Sequence, residues 1–209
     1  MSRILERCRQ SLFPSLCIAC EAPTLSVVFC PHCHESLEPA PATARARSAY
    51  AYSGALATAM RKAKFHPDET RARGLRPLFV DAYADEVETF SCADWVAYVP
   101  SHWRRRLGRG FELSALLASA LAIRTGIPLL TCLRARTYAP PLAIGHQNAQ
   151  ERRERVRDRF VCRRQLQRGT RVILVDDVVS TGATLQACRG ALVDAGAENV
   201  TCLTLAASS

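Results

Sequence analysis

The stretch Val172-Ile173-Leu174-Val175-Asp176-Asp177-Val178-Val179-Ser180-Thr181-Gly182-Ala183-Thr184 constrains the fold of this chain more than any other. Four apolar, mostly β-branched residues read as a buried strand. Two carboxylates follow at its C-terminal end, where ligands bind in open α/β sheets. A turn of small residues then leads into a helix over residues 184–195, with Leu185, Cys188, Leu192 and Val193 near helical spacing and Gly196 at its stop. The same alternation recurs elsewhere. Residues 95–99, closed by Pro100, read as a strand, residues 113–124 as a helix stopped by Gly126 and Pro128, and residues 200–205 as a last strand. This order predicts an α/β fold with a mostly parallel sheet flanked by helices.

The turn has the chemistry of an anion cradle. Gly182 lets the backbone approach an anion and tolerates positive φ. Ser180, Thr181 and Thr184 offer hydroxyls, and the helix N-terminus offers free amides and a positive dipole. Asp176 and Asp177 would repel a phosphate but suit the vicinal hydroxyls of a sugar, so the expected ligand is a sugar phosphate. A blander reading has Thr181 and Thr184 capping the helix and the aspartates favouring its N-terminus. The Gly-Lys-Ser/Thr ending of a Walker loop is absent. The segment resembles the phosphoribosyl-pyrophosphate-binding motif of type I phosphoribosyltransferases. That resemblance implies that Asp176 and Asp177 hold the ribose hydroxyls, that Ser180, Thr181, Gly182, Ala183 and Thr184 hold the 5-phosphate, and that Mg²⁺ bridges pyrophosphate and ribose oxygens.

Ten cysteines in 209 residues would suggest disulfides in a secreted protein. Arg3, Glu6, Arg7 and Arg9 interrupt the apolar run an export signal needs, so a cytoplasmic location is expected. No apolar stretch is long enough to cross a bilayer. Cys17-Ile18-Ala19-Cys20 and Cys30-Pro31-His32-Cys33 form two C-x-x-C knuckles, the spacing of a tetrahedral zinc site. His32 and His34 are possible substitutes, and a redox C-x-x-C is the competing reading. Four thiolates on a structural Zn²⁺ use both repeats symmetrically and would stabilise a segment too small for its own core. Cys8, Cys92, Cys132, Cys162, Cys188 and Cys202 are scattered and read as core or surface thiols. Residues 1–16 read as a short amphipathic helix ending near Pro14, and the Pro- and Ala-rich residues 38–44 as a linker. The expected division is a helix and zinc-binding cysteine module over residues 1–44 and a phosphoribosyltransferase-like domain over residues 45–209.

Knuckles ahead of a phosphoribosyl loop resemble the ComF family of competence-associated, phosphoribosyltransferase-like proteins. Residues 50–54 with Lys62-Ala63-Lys64-Phe65 are similar to that family's tyrosine segment and lysine-phenylalanine pair. Val99-Pro100, Arg104, Arg106 and Arg109-Gly110-Phe111 are similar to its proline and Arg-Gly-Phe signature, and the region of Arg134, Arg152 and Phe160 to its later loop. The departures are Glu112 and Arg155, each where the family has Asn. The run Pro100-Ser101-His102-Trp103-Arg104-Arg105-Arg106 follows a strand end, so Arg104, Arg105, Arg106 and Arg109, with Lys64, are candidates for pyrophosphate. Lys62 and Lys64 are the only lysines in the chain. The net charge of +9 suits a polyanionic partner. Two functions follow. One is a phosphoribosyltransferase acting on phosphoribosyl pyrophosphate or a nucleotide with Mg²⁺, linked by resemblance to DNA uptake. The other is a nucleotide-sensing module of the competence machinery that also engages single-stranded DNA and a partner helicase.

Overall fold

The computed structural model describes residues 15–25, 28–41, 46–65, 69–90, 92–101, 110–136 and 159–208. The described residues begin with β1 (Ser15–Leu16), β2 (Pro23–Thr24) and the short helix α1 (Pro31–Glu35). Next come β3 (Arg47–Ala51), α2 (Gly54–Phe65), α3 (Glu69–Ala82), a 3₁₀ turn and α4 (Val87–Phe90). Then follow β4 (Trp95–Tyr98), α5 (Leu113–Thr125), β5 (Leu129–Leu130), β6 (Leu133–Ala135) and β7 (Phe160–Cys162). The last elements are β8 (Thr170–Val179), α6 (Ala183–Asp194) and β9 (Ala197–Ala207).

Five strands form one sheet in the order β3-β9-β8-β4-β5, and each of these pairings is parallel. The α/β architecture expected from the alternation is the one observed. Parallel central strands are covered on both faces, which explains the continuous apolar run in β8. Ile173 and Val175 face one core with Leu56 and Met60 of α2, Leu75 and Phe79 of α3, and Leu117 and Leu121 of α5. Val172 and Leu174 face the other, with Leu185, Cys188 and Leu192 of α6. Each fully buried Leu or Ile contributes about 1.5–3 kcal/mol. The Tyr83 hydroxyl reaches the carbonyls of Arg47 (2.6 Å) and Thr204 (2.7 Å), which ties the end of α3 to β3 and β9.

Three expectations change. The strand expected over 172–175 runs to Val179, because β9 pairs with it as far as Val179↔Ala207. The helix expected over residues 1–16 does not include its last two residues, since Ser15 and Leu16 pair antiparallel with Thr24 and Pro23; residues 1–14 lie outside the described residues. The stretch read as a linker is pinned where it is described. Ala40 N–H donates to Ala49 O, Ala51 N–H donates to Glu38 O, and Pro39 bridges Tyr50 along β3. β3 is an edge strand, and a bridging Pro covers such an edge without offering an amide of its own.

The cysteine segment docks on the helices beside it. Cys17, Ile18, Ala19, Phe29, Cys30 and Cys33 are buried in the same core as α2 and α3. Arg71 donates to Ile18 O at 2.7 Å, and Lys62 donates to Ala19 O and to Glu21 Oε1, both at 2.8 Å. Glu21 sits at φ 64°, turning the chain after the first knuckle. Among the described residues no helix is long and apolar enough to cross a membrane.

Candidate functional site

The two aspartates stand where β8 loses one neighbour. Pairing with β4 ends at Tyr98↔Val175, while β9 continues alongside. β4 leads towards α5 on one face of the sheet, and β8 leads into α6 on the other. The strands part their connections there, leaving the crevice typical of open α/β sheets.

Consecutive strand residues point to opposite faces. Asp177, on the face of α2, receives a hydrogen bond from Lys64 Nζ at 2.7 Å, and both side chains are 19% exposed. Asp176 Oδ1 accepts the Asp177 N–H at 2.8 Å. Burial pushes the Asp176 carboxyl well above the usual carboxylate range and the neighbouring Asp177 charge pushes it further, while the Asp177 amide and Lys64 oppose the rise. The charge of Asp176 also helps to raise the Cys188 thiol on α6, which burial raises first. The site therefore holds one carboxylate already paired to a cation and one that favours its neutral form or a cation to be supplied.

The turn after β8 forms the cradle. Gly182 is the N-cap of α6 at φ 74°, ψ −1°, a left-handed conformation that a side chain disfavours. Intrahelical bonding starts with Gln186 N–H to Gly182 O, so the amides of Ala183, Thr184 and Leu185 precede it. Ala183 N–H reaches Thr181 Oγ1 at 3.4 Å. Ser180, Thr181 and Thr184 are exposed, and Asp176 with residues 178–185 lines one small cavity of about 50 Å³. Ser208 N–H donates to Val179 O, fixing the start of the turn.

Of the candidate cations, Lys64 is brought to the aspartates. Arg104, Arg105, Arg106 and Arg109 lie outside the described residues, as do Arg152 and Arg155. The residues after them are described: Gly110 has φ 76°, Phe111 packs against the core, and Glu112 is the N-cap residue of α5 and accepts the Ser101 N–H. Glu112 thus ties Ser101 to the start of α5. Sequence reading noted Glu112 as a departure, but nothing local signalled its partner.

Cys17, Cys20, Cys30 and Cys33 come together with all four sulfurs within 4.8 Å of one another, and Cys20 Sγ lies 3.7 Å from Cys30 Sγ. Sulfurs about 2.3 Å from a central zinc in a tetrahedron stand about 3.8 Å apart, so the donor set fits that ion. Burial would raise Cys17, but the amides of Cys20, Cys30 and Ala19 directed at its sulfur bring it to about 6. Cys33 is pushed up to about 12 by burial and by its cysteine neighbours. Four thiolates cannot share this space without a cation, and a dication removes the conflict. His32 and His34 are exposed on α1, and the group of four that converges is all cysteine.

Residues 107–209, just under half of the chain, match the phosphoribosyl transferase domain family. Over 82 residues the chain is 34% identical to the HGPRTase-like protein 2 of Haloquadratum walsbyi, covering 39% of this chain and 42% of that protein. Over another 82-residue alignment it is 33% identical to the hypoxanthine/guanine phosphoribosyltransferase of Methanohalobium evestigatum, covering 38% and 40%. The chain spans about two fifths of the length of these curated relatives. A solved structure of the allosteric regulatory enzyme of purine biosynthesis aligns at 26% identity and a TM-score of 0.42, over 64% of this chain and 25% of that one. Residues 107–209 are similar to the phosphoribosyl transferase domain family. The fold is a parallel sheet flanked by helices, with a four-cysteine cluster ahead of it.

Proposed function

We propose that the chain binds phosphoribosyl pyrophosphate, or a nucleotide, at residues 176–184 and transfers the phosphoribosyl group. The observation that carries this reading is the Asp176–Asp177 pair at the point where β4 stops beside β8, followed at once by a Gly182-capped helix N-terminus. In this reading Thr181, Gly182, Ala183 and Thr184, with Ser180, hold the 5-phosphate through amides and hydroxyls. Asp176 and Asp177 accept from the ribose hydroxyls, and Val178 and Val179 set their distance from the turn. Arg104, Arg105, Arg106 and Arg109, with Lys64, stabilise pyrophosphate as it leaves.

Mg²⁺ suits this set, because Asp176 is a carboxyl disfavoured as an anion and served by no ion pair of its own among the described residues. When bound, the ion neutralises pyrophosphate charge. Zn²⁺ at Cys17, Cys20, Cys30 and Cys33 is assigned a structural role. The free thiols suit a reducing compartment, which supports a cytoplasmic location. The resemblance to ComF proteins extends the reading to DNA uptake.

The test follows pyrophosphate release from phosphoribosyl pyrophosphate with Mg²⁺ and each common nucleobase. Release that depends on one base, and is lost in Asp177→Asn, supports transfer. Tight binding without release with any base favours the second reading, a nucleotide-sensing module that engages single-stranded DNA and a competence helicase. One observation speaks for that reading: Arg163, Arg164, Arg168 and Arg171 are all exposed around the start of β8. Arg171 and Asp176 are five strand residues apart, about 16 Å, so such a surface would be distinct from the cradle.

A further inference from the structure

Outside the four-cysteine cluster, one other pair of thiols is in contact among the described residues. Cys162 Sγ lies 2.9 Å from Cys132 Sγ, across the antiparallel ribbon of β6 and β7. The ribbon holds the backbone beside them. Leu133 pairs with Cys162, Arg134 with Val161 and Ala135 with Phe160, and Arg163 N–H donates to Cys132 O at 2.9 Å. We propose that Cys132 and Cys162 are a reversible disulfide site, oxidised by a low-molecular-weight disulfide and restored by a thiol reductant. A disulfide sulfur separation is about 2.0 Å, so closing the bond brings the sulfurs about 0.9 Å nearer.

The two thiols differ in the way a two-step exchange requires. Cys132 is buried and Cys162 is half-buried. The Cys162 thiol donates to Arg164 O at 3.1 Å. Burial and the neighbouring Cys162 push Cys132 up to about 12, so the buried partner stays a thiol until it is called on. The Arg164 guanidinium, held over the Trp95 ring at 5.1 Å, partly opposes the rise at Cys132. In the first step the Cys162 thiolate attacks one sulfur of oxidised glutathione, breaking its S–S bond and expelling one glutathione thiolate. In the second, Cys132 attacks Cys162 Sγ in the mixed disulfide and expels the second glutathione. Two protons leave the protein thiols, and the two electrons end on the glutathione pair.

Oxidation would join the two strands that begin and end the stretch between residues 133 and 161. Among the other described cysteines, Cys92 is exposed, Cys188 is buried and Cys202 is half-buried.

The experiment equilibrates the folded, zinc-loaded protein with oxidised glutathione, blocks free thiols by alkylation, and maps peptides without reduction. The expected result is a product two mass units lighter with residues 132 and 162 cross-linked, reversed by dithiothreitol. Cys132→Ala should instead leave Cys162 carrying glutathione, and Cys162→Ala should leave Cys132 unmodified. The proposal is overturned if exposed Cys92 becomes glutathionylated while 132 and 162 stay reduced in the wild type, or if either cysteine pairs elsewhere. The wild-type map decides the matter even where a variant fails to fold.

Discussion

Lys64 Nζ lies 2.7 Å from Asp177 Oδ1, joining helix α2 to the end of β8 across 113 residues of sequence. Two residues earlier on the same helix, Lys62 holds Ala19 O and Glu21 of the first cysteine knuckle. The only two lysines of the chain therefore tie one helix to the cysteine cluster and to the aspartate pair. The Lys64 ammonium reaches one carboxylate oxygen, while Lys62 divides its donors between a carbonyl and a carboxylate, as a compact point charge on a flexible stem allows.

Lys64→Met should leave Asp177 as a largely buried carboxylate without its cation. The expected cost is about 1–3 kcal/mol in urea unfolding. Adding Asp177→Asn should recover most of it, and the double-mutant cycle should give a coupling of about 1–2 kcal/mol. Additive effects would show that the pair contributes nothing.

Asp176→Asn should stabilise the protein at neutral pH while weakening ligand binding. The Asp176 carboxyl is raised in the folded state, so that state binds a proton that the unfolded chain has already lost. Its contribution is neutral below the unfolded value of about 3.9 and grows more destabilising as pH rises through the folded value, about 1.4 kcal/mol for each unit of separation. Thermal midpoints of wild type and variant should converge near pH 4 and separate as pH rises. Asn keeps the carbonyl that accepts the Asp177 amide, so the comparison isolates the charge.

Gly182→Ala should cost about 1–2 kcal/mol, because the N-cap residue of α6 stands at φ 74°. The same change should weaken phosphoribosyl pyrophosphate more than it weakens the fold, since it shifts the amides of Ala183 and Thr184. Calorimetric titration beside thermal unfolding separates the two effects.

Purified protein should contain about one zinc per chain. Chelation should open Cys17 and Cys33, both buried, to alkylation and lower the thermal midpoint. Metal-free protein with the same midpoint and protected cysteines would remove the structural role. Arg71→Ala with Lys62→Ala should loosen the knuckle without touching a ligand, because these side chains hold the Ile18 and Ala19 carbonyls.

Much of this was legible in the sequence where the signal is local. The apolar run at 172–175, the turn at 180–184 and the two C-x-x-C knuckles each carry their geometry within a few residues, and each recurs in the structure. The extent of β8 was not legible. Asp176 and Asp177 look like strand terminators, and only pairing with β9 keeps them extended. The partners of Lys64 and Glu112 were equally hidden, because long-range pairing leaves no periodic trace. Cys132 and Cys162 read as scattered thiols until the fold brought their sulfurs within 2.9 Å at the end of the β6–β7 ribbon.

The central claim is that residues 176–184 hold a phosphoribosyl group. Isothermal titration of phosphoribosyl pyrophosphate with excess Mg²⁺ into the wild type, Asp177→Asn and Gly182→Ala tests it most directly, with circular dichroism confirming that each is folded. The expected result is one site per chain, with affinity reduced at least about tenfold, or 1.4 kcal/mol, in both variants. Binding of equal strength in all three, or no binding to the wild type, would contradict it.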